Sequence, residues 1–204
     1  MKGLLLLSGG IDSPVAGRLM LDKGASLAAV HFGNELYAGK EPERKVRELA
    51  RIIGINDIVI VDLSLQLGKI AKQCDHHKYF IIQKRLMYRV AERLAQQLGC
   101  SFLVTGESLA QVSSQTAQNL SVIDAAVGMP VLRPLIGFDK QEIIALAKKF
   151  GTYDASKGPE TCDALGPRKP STRAKLEVIL DEEKKIDVAG MVEGALAAKM
   201  TVKA

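Results

Sequence analysis

The chain has 204 residues, an apolar fraction of 47% and a formal net charge of +5. This size and content suit one domain with a sizeable core, and no segment approaches the length of a membrane span. Only 4% of residues are aromatic and tryptophan is absent, so the stacking platforms of a single-strand nucleic-acid binder are not evident. The positive charge suits a polyanionic partner and equally an ordinary solvated surface. Three cysteines at scattered positions, Cys74, Cys100 and Cys162, make no disulfide framework and fit a reducing compartment. The apolar run near the N-terminus is too short for a signal peptide, and no small-residue cleavage site follows it. The expected location is cytoplasmic, without membrane contact.

In chain order, Leu4–Leu7 reads as a fully buried parallel strand. Ser8-Gly9-Gly10-Ile11-Asp12-Ser13-Pro14 follows as a tight strand-to-helix turn. In this reading Ser13 is the helix N-cap and Pro14 the first helical residue. Gly9 and Gly10 allow positive φ and keep Cβ atoms away from a ligand. Successive N–H groups at a helix N-terminus would form a concavity suited to phosphate. No Gly-Lys-Ser/Thr follows, so the turn is not a Walker A loop. The pattern resembles the pyrophosphatase loop, or PP-loop, of ATP pyrophosphatases, which split ATP between the α and β phosphates.

A first helix runs to about Lys23, and Ser26–Phe32 reads as a second strand. A polar loop with Gly33, Asn34 and Gly39 leads to a helix marked by Val46, Leu49, Ala50 and Ile53. Ile58–Asp62 is a third strand. Short connections between alternating strands and helices indicate a parallel sheet with right-handed crossovers. Residues 64–79 interrupt this rhythm with Cys74-Asp75-His76-His77, before a long helix whose inner face carries Ile82, Leu86, Val90, Leu94 and Leu98. Arg85 and Arg89 lie off that face, either solvated or able to grip phosphates. The fourth strand, Phe102–Val104, opens into the polar run Thr105–Thr116 at the strand's carboxyl end, the edge where doubly wound sheets carry ligands. Met129–Arg133 reads as a fifth strand. Asp139 and Glu142 form a capping box for the next helix. An irregular Gly/Pro-rich stretch, 156–167, precedes a final helix from about Ser171, and residues 181–204 read as a helical tail.

Three stretches together carry a more specific resemblance: Ser-Gly-Gly-Ile-Asp-Ser-Pro, Val-Thr-Gly-Glu-Ser-Leu-Ala-Gln-Val-Ser-Ser-Gln-Thr, and Arg-Pro-Leu-Ile-Gly-Phe-Asp-Lys-Gln-Glu-Ile. In order and spacing they resemble the PP-loop domain of the tRNA 4-thiouridine synthetase, or ThiI, family over residues 1–180, with 181–204 as an appended tail. The resemblance implies a doubly wound α/β fold of the adenine nucleotide α-hydrolase kind, with a five-stranded parallel sheet. It implies ATP and Mg²⁺ as cofactors and tRNA as substrate. A uridine C4 oxygen would be adenylated and sulfur would then displace AMP, in a family also tied to thiamine biosynthesis. Ser8, Gly9, Gly10, Asp12 and Ser13 match the loop, and Asp12 is the candidate to organise Mg²⁺. Lys140 is implicated near the phosphates, and Gly106 and Gln115 of the polar run are further nucleotide contacts. His31 and Phe32 end the strand where this fold seats adenine; His31 reads better as a packed residue than as a base.

Cys162 stands where the family carries its sulfur-handling cysteine, close in sequence to Arg168, Lys169 and Arg173, which would favour the thiolate. Cys100 reads as core. For Cys74 three readings stand open: an iron–sulfur or metal site with His77 and Cys162, a resolving thiol for Cys162, and an incidental surface cysteine. Without the family's THUMP module or a rhodanese, tRNA docking and sulfur delivery are expected from a separate THUMP-containing protein, from a separate donor (rhodanese, cysteine desulfurase or sulfide), or from a homodimer. The rival readings are adenylation of a small-molecule acceptor, in thiazole sulfur chemistry or amide ligation, and a nucleotide-binding subunit without chemistry.

Overall fold

The computed structural model describes residues 1–39, 41–109, 115–158 and 165–204. Its first half is a regular alternation: β1 (Lys2–Leu6), α1 (Asp12–Asp22), β2 (Ser26–Gly33), the short α2 (Glu35–Ala38), α3 (Glu41–Ile53), β3 (Asp57–Asp62) and α4 (Ser64–Gln73). A 3₁₀ turn at His76–Lys78 leads into the long α5 (Tyr79–Gln97) and β4 (Phe102–Val104). Then come α6 (Ala117–Asp124), β5 (Val131–Leu132), α7 (Lys140–Phe150), α8 (Tyr153–Ser156), α9 (Leu176–Glu183), α10 (Val188–Ala197) and β6 (Met200–Lys203).

The six strands form one sheet in the order β5-β4-β1-β2-β3-β6. All neighbours are parallel except β3 and β6, whose antiparallel register pairs Asp57 with Lys203 and Ile60 with Met200. The sequence reading has five strands and a helical tail. The sixth strand is short and its alternation is weak, with only Val202 half-buried in Met-Thr-Val-Lys. What makes it a strand is the open edge of β3, whose unpaired backbone groups it satisfies.

Helices cover both faces, so the strands must be apolar on both sides. Leu4, Val30, Val59, Val61 and Leu103 pack with residues of α4, α5, α6 and α10. Leu5, Leu7, Ala29, Ile58, Ile60 and Val104 pack on the other face with residues of α1, α3 and α7. The leucine run of β1 is thus divided between two cores by the strand's period of two.

The C-terminal helices are tied to the sheet by buried charge as well as by apolar contact. Arg85 is 1% exposed. Its Nε donates to Glu183 Oε1 at 2.8 Å and its Nη2 to Oε2 at 3.1 Å, while Arg89 grips both oxygens of the same carboxylate at 2.7 and 2.8 Å. Arg85 also donates to the Val122 carbonyl on α6. These arginines therefore neither face open solvent nor point to a phosphate site; the fold uses them to hold α9 against α5. Removing one partner of a buried pair leaves the other desolvated and unpaired. Glu183→Ala should accordingly lower stability by about 3–5 kcal/mol, measured by urea unfolding, whereas breaking an exposed pair such as Lys184–Asp181 should leave the unfolding midpoint nearly unchanged.

Candidate functional site

The chain runs from β1 to β2 and β3 on one side, then crosses to β4 and β5 on the other. The order therefore reverses between β1 and β4, and the crevice at the carboxyl ends of these two strands is where such sheets bind ligands. The glycine turn leaves β1 here and the polar run leaves β4. Gly106 joins them: a Cβ on it would fall 2.5 Å from the Ser13 nitrogen and 2.6 Å from the Ser13 Cα. No side chain fits, so the β4 exit is laid directly on the start of α1.

Local geometry in the glycine turn differs from the sequence reading in two respects. Helix α1 begins at Asp12, with Ile11 at the N-cap position and no side-chain cap, so Ser13 and Pro14 lie inside the first turn. The Ser13 hydroxyl instead accepts from the Ser8 N–H at 2.8 Å and lies 3.0 Å from the Ser8 hydroxyl. It closes the turn on itself and leaves the helix N–H groups uncapped by a side chain. Nor do Gly9 and Gly10 take positive φ; among the described residues that conformation belongs to Gly24, Gly39, Gly54, Gly99, Gly151 and Gly158. At Gly9 a Cβ would sit 3.1 Å from Cδ of Lys45 on α3, a tight contact that the lysine side chain would have to relax. Lys45 was not singled out in the sequence, where Arg44-Lys45-Val46-Arg47 reads as any charged helix face.

Lys140 opens α7, fixed there by the expected capping box: Asp139 accepts from the Glu142 N–H at 2.9 Å, and Glu142 from the Asp139 N–H at 2.8 Å. Its Nζ reaches back to Asp12 Oδ1 at 2.8 Å. A lysine at a helix N-terminus is unfavourable alone, and Asp12 offsets that. The two residues, 128 positions apart in sequence, meet across the glycine turn.

On the other flank, His31 is buried, and its Nδ1 donates to the Leu7 carbonyl at 3.0 Å. Burial pushes its pKa down, against the raising effects of that hydrogen bond and of Glu43. The ring is thus a neutral, packed group with Nε2 as a lone-pair acceptor, and Nε2 has no partner among the described residues. The same holds for both amide atoms of Asn34 and for Oε1 of Gln115. Phe32 is half-buried beside His31 and pairs in register with Val61.

Behind Gly106 lies a carboxylate that sequence reasoning passed over. Glu107 is buried and accepts from Tyr88 Oη at 2.6 Å, Arg133 Nε at 2.9 Å, Thr105 Oγ1 at 3.1 Å and Lys84 Nζ at 3.2 Å. Burial alone would raise its pKa, but Lys84, Arg133 and Tyr88 outweigh it and hold the carboxyl at about 2. Arg133 follows β5, and Asp124 at the end of α6 accepts from its guanidinium. With Ser108 Oγ donating to the Phe138 carbonyl at 2.8 Å, the loops after β4 and β5 become one unit that leads to Lys140. The signal available in the sequence was an acidic residue directly after the strand, between glycine and serine.

Cys162, with the thiolate expected there, lies outside the described residues, as does the Ala110–Ser114 part of the polar run. Cys74 is buried rather than on the surface, and its thiol donates to the Glu182 carbonyl at 3.6 Å. Burial pushes that thiol's pKa up, which works against a resolving nucleophile. His77 turns Nδ1 to the Lys169 carbonyl at 2.7 Å. Among the described residues no group of three His, Cys, Asp or Glu side chains is arranged to hold a metal, and no helix is long and apolar enough to cross a membrane.

Sheet order, glycine turn and switch-point crevice define an α/β domain of the PP-loop class. The family model described as "Thiamine biosynthesis protein (ThiI)" matches residues 1–188, and the chain belongs to that family. It is 42% identical over 201 residues to the probable tRNA sulfurtransferase of Alkaliphilus metalliredigens (strain QYMF), a match taking in 96% of this chain and 51% of that protein. The chain thus spans about half the length of the curated relatives it matches. Its fold superposes with a TM-score of 0.94 on a 4-thiouridine synthetase solved in complex with RNA and bound ATP; identity is 34%, covering 99% of this chain and 55% of that one. NMN synthetase from Francisella tularensis, at 15% identity and a TM-score of 0.60, covers 95% of this chain and 82% of that one and shares the fold alone.

Glu107 makes part of this framework sensitive to acid. Its pKa is depressed from 4.5 to about 2. The stabilisation is therefore present above about pH 4.5 and is lost as pH falls through 2; a difference of this size corresponds to about 3 kcal/mol. Glu107→Gln should cost on the order of 3 kcal/mol at neutral pH. The gap to the parent should close towards pH 2, as followed by denaturant midpoints across the acid range.

Proposed function

We propose that the chain binds ATP on the glycine turn between β1 and α1, adenylates a tRNA uridine at its C4 oxygen, and replaces AMP with sulfur to give 4-thiouridine. The observation that carries this reading is the Asp12–Lys140 pair spanning the turn at 2.8 Å. It puts an anion and a cation where a polyphosphate would meet the uncapped N-terminus of α1. The 34% identical synthetase with bound ATP and RNA supports the same ligands.

The chemistry needs a leaving group at C4, because oxide is a poor one. The uridine oxygen attacks the α-phosphorus and the bond to the bridging β-phosphate oxygen breaks. Negative charge grows on the departing pyrophosphate. The N–H groups of the turn and of the first turn of α1, with Lys140 and Lys45, are aimed at that charge before it develops. Ser8, Gly9, Gly10 and Ser13 shape the turn, and Gly106 lets the β4 backbone close on it. His31 and Phe32 flank the adenine side, where His31 Nε2 and Gln115 Oε1 serve as hydrogen-bond acceptors rather than bases.

Mg²⁺ is bound with nucleotides through one or two carboxylates plus phosphates rather than by a full protein cage. Asp12, part-exposed at the turn with one oxygen on Lys140, fits that role, and the ion would supply further positive charge to the phosphates. In the second half of the reaction a persulfide sulfur attacks C4, the C–O bond breaks and AMP leaves with the oxygen. Cys162 carries that sulfur in this reading, loaded by a separate donor and released by an external thiol, since Cys74 is buried. Docking of the tRNA through a THUMP-containing region or protein belongs to the same proposal.

The test incubates the chain with Mg²⁺-ATP, unmodified tRNA and a persulfide donor, and follows pyrophosphate, AMP and thiouridine. Asp12→Ala and Lys140→Ala should each slow pyrophosphate release by about 10²–10³-fold. Cys162→Ser should block thiolation and leave pyrophosphate release nearly intact. ADP as the product, or full thiolation by the serine variant, would overturn the respective half of the reading.

A further inference from the structure

The Cys74-Asp75-His76-His77 turn is left without a role by the nucleotide site, yet hydrogen bonds fix it on two sides. Its own position is fixed from α9: the Asp75 N–H donates to Glu182 Oε2 at 2.7 Å, and the Cys74 thiol to the Glu182 carbonyl. Asp75 caps the 3₁₀ turn by accepting from the His77 N–H at 3.0 Å, and Lys78 Nζ donates to its other oxygen at 2.6 Å.

From this base both imidazoles reach one distant segment. His76 Nε2 donates to the Leu165 carbonyl at 2.8 Å, and His77 Nδ1 to the Lys169 carbonyl at 2.7 Å. The Ser171 N–H returns a third bond to the His77 carbonyl at 2.8 Å. Since a carbonyl only accepts, each ring nitrogen carries a proton in these contacts. The seat is shaped as well as bonded, because a Cβ on Gly166 would fall 2.2 Å from the Phe80 ring. Beyond it, Asn119 on α6 donates to the Ser171 carbonyl and accepts from the Ala174 N–H, both at 2.9 Å.

At the other end of the intervening stretch, the Ser156 hydroxyl donates to the Gly10 carbonyl of the glycine turn at 3.4 Å. Ser156 is thus bonded to the glycine turn, and Leu165 and Lys169 to the two histidines. Cys162 stands three residues before Leu165, a reach of at most about 11 Å along an extended chain.

We propose that His76 and His77 are positioning residues: their ring N–H groups hold the Leu165 and Lys169 carbonyls and so fix the C-terminal anchor of the stretch that carries Cys162. The proposal rests on the sulfur-carrying role given to that cysteine above. In this role the rings act through the backbone they hold, at the Leu165 and Lys169 carbonyls. Because misplacement of a reacting group by about 1 Å can cost 10²-fold, sulfur transfer depends on this anchor while adenylation, carried by the glycine turn, does not.

The test uses the full chain in two double variants. His76→Ala with His77→Ala removes both donors. His76→Gln with His77→Asn keeps an amide N–H at the reach of Nε2 and Nδ1 respectively. Pyrophosphate release and thiouridine formation are measured in parallel, with amide hydrogen exchange over residues 165–171 as a readout independent of turnover. The alanine pair should exchange faster over that segment and lose about tenfold or more in thiolation, with pyrophosphate release within about twofold of the parent. The Gln/Asn pair should recover most of both losses. Unchanged thiolation or exchange in the alanine pair, a parallel fall in both reaction halves, or a Gln/Asn pair as slow as the alanine pair would each overturn the proposal. Cys162→Ser in the same series keeps the two readings apart. Full thiolation by that variant defeats the role of the cysteine, whereas dependence on Cys162 with an unaffected alanine pair defeats the histidine anchor alone.

Discussion

Backbone contact between the exit of β4 and the first turn of α1 is the constraint on which the site depends. It exists because Gly106 has no side chain and because the strand order reverses between β1 and β4. The reversal alone would open a crevice. The direct seating of Gly106 on Ser13 brings main-chain atoms of both elements together at that crevice. A floor of N–H groups suits a ligand whose oxygens are numerous and alike, since it recognises charge and spacing rather than a particular side-chain partner. His31, Asn34 and Gln115 carry buried polar atoms that have no partner among the described residues.

Helix α5 couples that site to the C-terminal part of the chain. Lys84 and Tyr88, one turn apart, bond Glu107 behind the crevice, while Arg85 and Arg89, also one turn apart, bond Glu183 on α9. The spacing of four puts each pair on one stripe, and the offset of one separates the stripes by about 100°. One helix thus carries two carboxylates on two sides. Buried ion pairs contribute little net stability compared with apolar packing, but they tolerate few alternative registers. In this chain they fix the loop after β4 and the docking of α9 relative to the same helix.

Much of the framework was legible in the sequence, because the signals there are local. Apolar runs bounded by glycine gave β1 to β4, and the capping box placed the start of α7. The motif order located the crevice and brought Asp12 and Lys140 into one proposal before their contact was visible. What could not be read depends on distant partners. Arg85 on a charged stripe looks solvated until Glu183 arrives from 98 residues away. Met200–Lys203 has no pattern of its own and becomes a strand because β3 offers an edge. Ser13 has the composition of an N-cap, yet Ser8 competes for its hydroxyl and the helix starts two residues earlier. Glycines at positions 9 and 10 suggested unusual φ, yet neither adopts it, and Gly9 lies instead against the Lys45 side chain. Cys74 as a surface residue failed for the same reason as the arginines, since α9 covers it.

The competition for Ser13 also bears on how the site works. A capped helix start would place a hydroxyl where a phosphate oxygen should go, and the incoming ligand would have to displace it. By turning Ser13 back to Ser8, the chain satisfies the turn internally and leaves the first N–H groups of α1 without a side-chain cap. Lys140 shows the complementary arrangement. At the start of α7 it opposes the helix dipole, and the Asp12 carboxylate relieves that opposition only by direct contact. A polyphosphate entering between them offers Lys140 more negative charge than one carboxylate does and offers Asp12 a cation in exchange. In the proposed reading the pair separates onto ligand, because each partner is held by an interaction that a polyphosphate and its counterion would replace.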